Sequence, residues 1–173
     1  MVERPLNLRA DLVIRNPDED DHRALVGRLG AWWAERPLDL PRLWLRHFAG
    51  TSWVAATPDG SFAGLAVGFA SQDRADTGVL LAVAVAPAYR RQGLGRELVG
   101  RVERSLRDAG ATRAEAVIWP GNRVAIRFVE AVGYEPIPES RATPLYGVPA
   151  LAHYDGIGED RAVYVRELSP AAG

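Results

Sequence analysis

The 173-residue chain contains no cysteine. Disulfides, thiolate metal sites and a thiol nucleophile are excluded together. Excess charge of one sign is missing too: 21 basic residues stand against 22 acidic ones, a formal net charge of −1. The surface as a whole therefore offers no standing attraction to nucleic acid or to an anionic membrane. No stretch approaches the roughly 20 apolar residues that cross a bilayer. The opening "MVERPLNLRADL" has no apolar core of signal-peptide length, so the expectation is a cytoplasmic protein without membrane or nucleic-acid partners. His22, His47 and His153 are scattered, with no pair at ligand spacing, and no metal is expected.

What remains is an ordinary globule, 47% hydrophobic and 25% charged. A single domain over 1–173 is expected, burying roughly 70% of the surface its unfolded form exposes. "LNLRADLVIRN" reads as a first strand. In "NPDEDDHRALVGRLGAWWAER", Asn16 as cap, Pro17 in the first turn and Glu19 at capping-box spacing predict a helix start. Leu25, Val26, Leu29, Trp32 and Trp33 would form its inner face. "LPRLWLRHFAG" predicts a second helix with Leu40, Leu43, Trp44 and Phe48 inward. "TSWVAAT", "PDG" and "SFAGLAVGF" predict a hairpin.

That hairpin's second strand alternates large Leu65, Val67 and Phe69 with small Gly64, Ala66 and Gly68. The following strand alternates Leu81, Val83 and Val85 with Ala82, Ala84 and Ala86. A strip of small side chains admits either a close-packed helix or a ligand near the backbone. Leu94, Leu98, Val99, Val102 and Leu106 then mark a helix that stops at Gly110. "ATRAEAVIW" predicts a strand, and "GNRVAIRFVEAVG" a helix capped by Asn122 and ended by Gly133. "YEPIP" predicts a short strand, 138–160 an irregular segment, and "RAVYVREL" the last strand. The fold class is α/β with a sheet of mixed direction.

Between the alanine-rich strand and its helix lies "YRRQGLGREL". A glycine turn opening a helix aims unpartnered N–H groups one way, making an anion site that the helix dipole reinforces. Gly93 and Gly95 remove side chains from it, and Arg90, Arg91 and Arg96 add charge around it as phosphate partners. A P-loop is excluded because no Lys-Ser/Thr pair follows the last glycine, and a dinucleotide fingerprint because its third glycine is Leu98. Glu115 lies twenty residues past Gly95 but precedes its apolar run, which discounts it as a ribose ligand.

Arg90-x-x-Gly93-x-Gly95, preceded by Val85-Ala86-Pro87, resembles motif A of the GNAT superfamily of N-acetyltransferases. Asn122-x-x-Ala125-x-x-Phe128, followed by Gly133-Tyr134, resembles its second element at the expected distance. The resemblance implies a mostly antiparallel sheet of about seven strands, splayed between the fourth and fifth and flanked by about four helices. It implies acetyl transfer from acetyl-CoA, by direct attack on the thioester, to a primary amine on a small molecule or peptide. The alternative is a CoA-binding sensor with little or no transfer. By carry-over, the amides of Arg91, Gln92, Gly93, Leu94, Gly95 and Arg96 hold the pyrophosphate. Val83 and Val85 pair by main chain with the pantetheine, the Val85 amide faces the thioester oxygen, and Asn122 and Phe128 line the other wall. The family's frequent tyrosine acid is replaced by Val129. Tyr146 or Tyr154 is an acid within reach of sequence reasoning, and Asp73 or Asp76 a base, but no catalytic residue is assigned. The fold admits a homodimer.

Three charge-assisted hydrogen bonds give roughly 5–9 kcal/mol gross, and the helix dipole adds ~0.3–1 kcal/mol. Association costs at least ~4 kcal/mol, which leaves less than the ~8 kcal/mol of micromolar binding. The pantetheine contacts must contribute the rest. Free pyrophosphate is therefore predicted to compete with CoA only at millimolar concentration in a displacement titration, and micromolar competition would contradict this.

Overall fold

The computed structural model describes residues 11–32, 40–138 and 142–168. In chain order the first elements are β1 (Val13–Arg15), α1 (His22–Trp32), α2 (Arg42–His47), β2 (Trp53–Ala56), β3 (Phe62–Ala70) and β4 (Thr77–Val85). Then come α3 (Leu94–Asp108), β5 (Arg113–Ile118), α4 (Arg123–Ala131), β6 (Glu135–Pro136), β7 (Thr143–Leu145), β8 (Val148–Ala150) and β9 (Ala162–Glu167). Seven strands form one sheet in the order β1-β2-β3-β4-β5-β9-β6, and β7-β8 form a separate two-stranded ribbon. The β4–β5 pair is parallel; β1–β2, β2–β3, β5–β9 and β6–β9 are antiparallel. The parallel ladder runs from Thr77–Arg113 to Leu80–Ala116 and ends there, although β4 continues to Val85 and β5 to Ile118.

The chain divides into two compact units, Met1–Phe69 with Ala82–Ser105, and Ala70–Leu81 with Leu106–Gly173. In the first unit the helix start differs from expectation. A 3₁₀ turn, Glu19–Asp21, leads into α1, and its cap is Asp18, whose carboxylate accepts from the N–H groups of Asp20 and Asp21, while the Asp21 side chain accepts from the Asp18 N–H. Asn16 instead donates to the carbonyls of Ala49 and Ser52. Four acidic residues in a row, Asp18 to Asp21, let the capping box slide two positions along, and the Arg15 guanidinium fixes the choice by pairing with Asp21 at 2.6 and 2.8 Å.

Leu25, Leu29 and Trp32 are buried on α1 as expected, whereas Val26 is exposed and Trp33 lies outside the described residues. On α2 the inward residue is Leu45; Leu43 is exposed. Trp44 and Phe48 are half-buried and pack with Phe69 as an aromatic trio, with centroids 4.5–5.7 Å apart. Six residues make under two turns, too short for periodicity to choose between Leu43 and Leu45.

The small residues of β3 and β4 do not make one strip. Ala82, Ala84 and Ala86 belong to the same buried cluster as Leu65, Val67, Leu25 and Leu29. Gly64 points to α3, where a Cβ would lie 2.9 Å from Leu98 Cδ1 and 3.3 Å from the Ala84 carbonyl. For Gly64 the close-packed helix is the answer. Leu94, Leu98, Val99, Val102 and Leu106 are all at most 1% exposed, each such side chain stabilising the fold by roughly 1.5–3 kcal/mol. Trp53 Nε1 donates to Ser105 Oγ at 3.0 Å and Arg101 lies 5.0 Å over the same ring, which pins α3 against rolling.

In the second unit β5 pairs along its whole length with β9, from Arg113–Glu167 to Ile118–Ala162. Asn122 caps α4 by accepting from the Ala125 N–H at 3.0 Å, and Gly133 ends that helix with φ 98°. The segment 138–160 is more regular than expected, because β7 and β8 pair from Thr143–Ala150 to Leu145–Val148. Prolines at 144 and 149 hide this hairpin from a pattern reading; they sit opposite each other in the ribbon.

Gly64→Ala is predicted to destabilise the protein by about 1–3 kcal/mol through overpacking against Leu98. Urea unfolding measures this, and an unchanged midpoint would show that α3 yields without cost.

Candidate functional site

After β4, Pro87–Tyr89 form a single 3₁₀ turn and Arg90 is extended. Arg91 and Gly93 then adopt left-handed φ of 62° and 81° before α3 begins at Leu94. Glycine takes that conformation freely, but Arg91 is strained by about 1–3 kcal/mol and held there by its surroundings. The Gln92 side chain closes the turn by donating to the Ala88 carbonyl at 2.9 Å. Leu94 is 1% exposed. Its side chain anchors the helix start, while the first N–H groups of a helix have no partner within it. The result is a rigid, exposed mouth of positive potential.

Arg90 does something the sequence does not announce. Its Nε donates to the Val85 carbonyl at 2.9 Å and its Nη2 to the Trp32 carbonyl at 3.0 Å. Trp32 lies on α1, so the guanidinium ties that helix to the end of β4. Arg91, by contrast, is exposed at the mouth itself. Ala86 donates its N–H to the Ala63 carbonyl at 2.9 Å. Alternation along an extended chain therefore turns the Val85 N–H and C=O, and those of Val83, toward the opposite edge. That edge offers the Val85 N–H and the main-chain groups of Val83 to an added extended ligand, the Val85 C=O already accepting from Arg90.

The remaining residues singled out in the sequence lie in the second unit. Asn122 Oδ1 is engaged as the α4 cap, Phe128 is half-buried on α4, and Val129 is 4% exposed. Asp73 and Asp76 are exposed loop residues, and Asp76 Oδ1 accepts from Thr77 Oγ1. Glu115 is buried and ion-paired to Arg74 and Arg113, each with a contact at 2.8 Å. It is a structural carboxylate. Tyr154 stands near this group, its hydroxyl pKa raised by burial and by the Glu115 charge. Tyr164 donates to Glu130 at 3.1 Å, and burial with that bond raises its pKa to about 12. Among the described residues there is no group of three His, Cys, Asp or Glu able to hold a metal ion, and no helix is long and apolar enough to cross a membrane.

The Acetyltransferase (GNAT) family profile matches residues 18–134 of this chain. The chain belongs to the GNAT acetyltransferase family. Among its relatives is the L-2,4-diaminobutyric acid acetyltransferase of Streptomyces avermitilis, 35% identical over 137 residues, which are 73% of this chain and 70% of that protein. The enzyme of the same name from Streptomyces coelicolor is 36% identical over 129 residues, 69% of this chain and 72% of that one. The fold is also that of a Paenibacillus lautus diaminobutyrate acetyltransferase, solved with L-2,4-diaminobutyric acid and coenzyme A. That structure superposes with a TM-score of 0.66 at 21% identity, over 91% of this chain and 95% of that one.

As a GNAT N-acetyltransferase, the chain transfers an acetyl group from acetyl-CoA to an amine. The alternative of a CoA sensor without transfer is not favoured, since the curated relatives are named as acetyltransferases. The contact missed by sequence reasoning is the clamp of Arg90 on Trp32, which joins residues 58 apart. No local pattern carries such a signal.

Gly93→Glu is predicted to abolish CoA binding by isothermal titration while the far-ultraviolet circular dichroism stays native. Arg90→Met is predicted to lower the melting temperature by several degrees, since it removes the tie between the Trp32 and Val85 carbonyls. A phosphate contact alone would lower CoA affinity without that loss.

Proposed function

We propose that the mouth of α3 holds the acetyl-CoA diphosphate and that the acceptor is a small diamino acid of the 2,4-diaminobutyrate class. The observation that carries the acceptor is the 35% identity to an enzyme named for that substrate. In this reading the amides from Arg91 to Arg96 receive the diphosphate, with the Arg91 side chain beside them. The left-handed turns at Arg91 and Gly93 support it, because only glycine takes such a φ without strain at residue 93. Val83 and Val85 pair with the pantetheine as an added strand would. Asn122 and Phe128 enter only through their match to the family's second motif. The whole of 1–173 is taken as one acetyltransferase domain, because the family match at 18–134 draws on both compact units.

The chemistry needs a neutral amine, an electrophilic carbonyl and a tolerable leaving group. A lysine-type amine has a pKa of about 10.4, so only a small fraction is reactive at neutral pH. The Val85 N–H, on the edge of β4 away from β3, is the donor assigned to the tetrahedral oxyanion. With Val129 where many relatives carry a tyrosine, the thiolate leaves without a proton from α4. A thiol of pKa about 8.5 permits this, at the loss of the ~10²–10⁴ that a general acid contributes. The cytoplasm is the compartment assigned to the reaction. A homodimer is a further expectation, although Pro136 lacks the N–H that strand pairing at β6 would use.

Thiol release from acetyl-CoA, measured with L-2,4-diaminobutyrate, ornithine, lysine, spermidine and a peptide amine, tests the acceptor. Diaminobutyrate is expected to show the highest kcat/KM, by at least about tenfold over spermidine, with a rate that rises with pH as the amine deprotonates. Faster acetylation of a polyamine or peptide would overturn the assignment.

A further inference from the structure

Trp119 and Tyr146 are large aromatic residues left 41% and 63% exposed in the second unit. Their rings meet edge to face, with centroids 5.8 Å apart and planes at 60°. Scattered apolar side chains on a surface need no explanation, but this pair is held by three separate devices. The Trp119 indole lies over Gly121, where a Cβ would collide with its Cη2, Cζ3 and Cζ2 atoms. Tyr146 and Gly147 are the two central residues of the β7–β8 hairpin, with φ of 51° and 76°. Both being positive gives the tight turn that fixes a ring at its tip, and tyrosine is an uncommon choice there. Arg123 Nη1 then donates to the Tyr146 carbonyl at 3.1 Å, tying the tip to the start of α4.

The pair stands at a significant place in the fold. Trp119 directly follows β5, which with β4 makes the parallel pair of the sheet. Ligands of open α/β sheets bind beyond the carboxyl ends of parallel strands. A planar base would need a parallel slot, and rings at 60° leave a corner instead. A compact cation suits a corner of aromatic faces. Beside it the planar fork of Arg123 has further N–H groups beyond the one given to Tyr146, and that fork matches a carboxylate.

We infer that Trp119, Tyr146 and Arg123 recognise the acceptor, the two rings taking the ammonium that is not acetylated and Arg123 the carboxylate on the same carbon. This rests on the diamino-acid reading above and deepens it. The α-ammonium and carboxylate share one carbon, and Arg123 is bonded to the backbone of one of the two rings. Both charges are thus read at adjoining points. The distal amine, which must be neutral to react, is left unheld and directed elsewhere. The Tyr146 hydroxyl has no part in this recognition.

The test compares steady-state constants for L-2,4-diaminobutyrate and for 1,3-diaminopropane, which lacks the carboxylate. The proteins are the wild type, Tyr146→Ala, Tyr146→Phe, Gly121→Ala and Arg123→Gln, each checked by thermal unfolding. Tyr146→Ala and Gly121→Ala are expected to raise KM for diaminobutyrate about tenfold, with KM for acetyl-CoA unchanged. Tyr146→Phe should stay within about twofold, because the ring is what matters. Arg123→Gln should weaken diaminobutyrate severalfold more than 1,3-diaminopropane, which loses only what untying the hairpin tip costs the ring pair. An unchanged diaminobutyrate KM in Tyr146→Ala, a rise in acetyl-CoA KM instead, or equal losses on both amines in Arg123→Gln would overturn the inference while the diamino-acid reading stands. If wild type acetylates no diamino acid, that reading fails and the corner's assigned ligand goes with it. Should Tyr146→Ala not fold, Trp119→Leu supplies the same comparison.

Discussion

The seat of α3 on the strands of the first unit is the constraint on which the mouth of that helix depends. A helix turns 100° per residue, so a small roll of α3 would swing its first N–H groups away from any shared focus. Leu94 and Leu98 prevent the roll by filling the space left by the absent side chain of Gly64. At the far end of the helix, Trp53 holds Ser105 and Arg101. The aim of the α3 mouth is therefore an outcome of core packing. Its own residues supply the amides and the charge; the apolar seam aims them.

Arg90 extends that constraint to α1. A single guanidinium bonded to the last carbonyl of β4 and to the Trp32 carbonyl of α1 ties the turn to the helix. The strained Arg91 fits the same logic. A backbone held in a sparsely populated conformation needs fixed neighbours on both sides, and here these are the Arg90 clamp before it and the buried Leu94 after it. Charge in this turn is divided by task, with one arginine fixing the backbone and the next facing solvent.

The second unit is stiffened differently. Glu115, buried between Arg74 and Arg113, fixes the start of β5 with paired charge. Its other end, after Ile118, carries Trp119 against Gly121 and the hairpin tip. Chain rigidity at an exposed site is a common requirement for selective binding, because ordering a loose surface upon binding subtracts from affinity. In this protein a strand end, a tight turn and a helix start are fixed to one another at the surface.

Much of this is legible in the residues. The buried face of α3, the Asn122 cap, the stops at Gly110 and Gly133, the hairpin around "PDG" and the glycine turn are local features. Each is decided within about one helical turn or one strand, by periodicity or by a single backbone conformation. The start of α1 shows the limit of that legibility, because several acidic residues could cap and Arg15 chose among them. Only the tertiary structure decided that the alanines of β4 share a cluster with Leu65 and Val67, that Arg90 reaches Trp32, and that Trp119 meets Tyr146. Periodicity states which side chains share a face of their own element. Which element covers that face is set by chain closure over long separations, and no local sequence holds it.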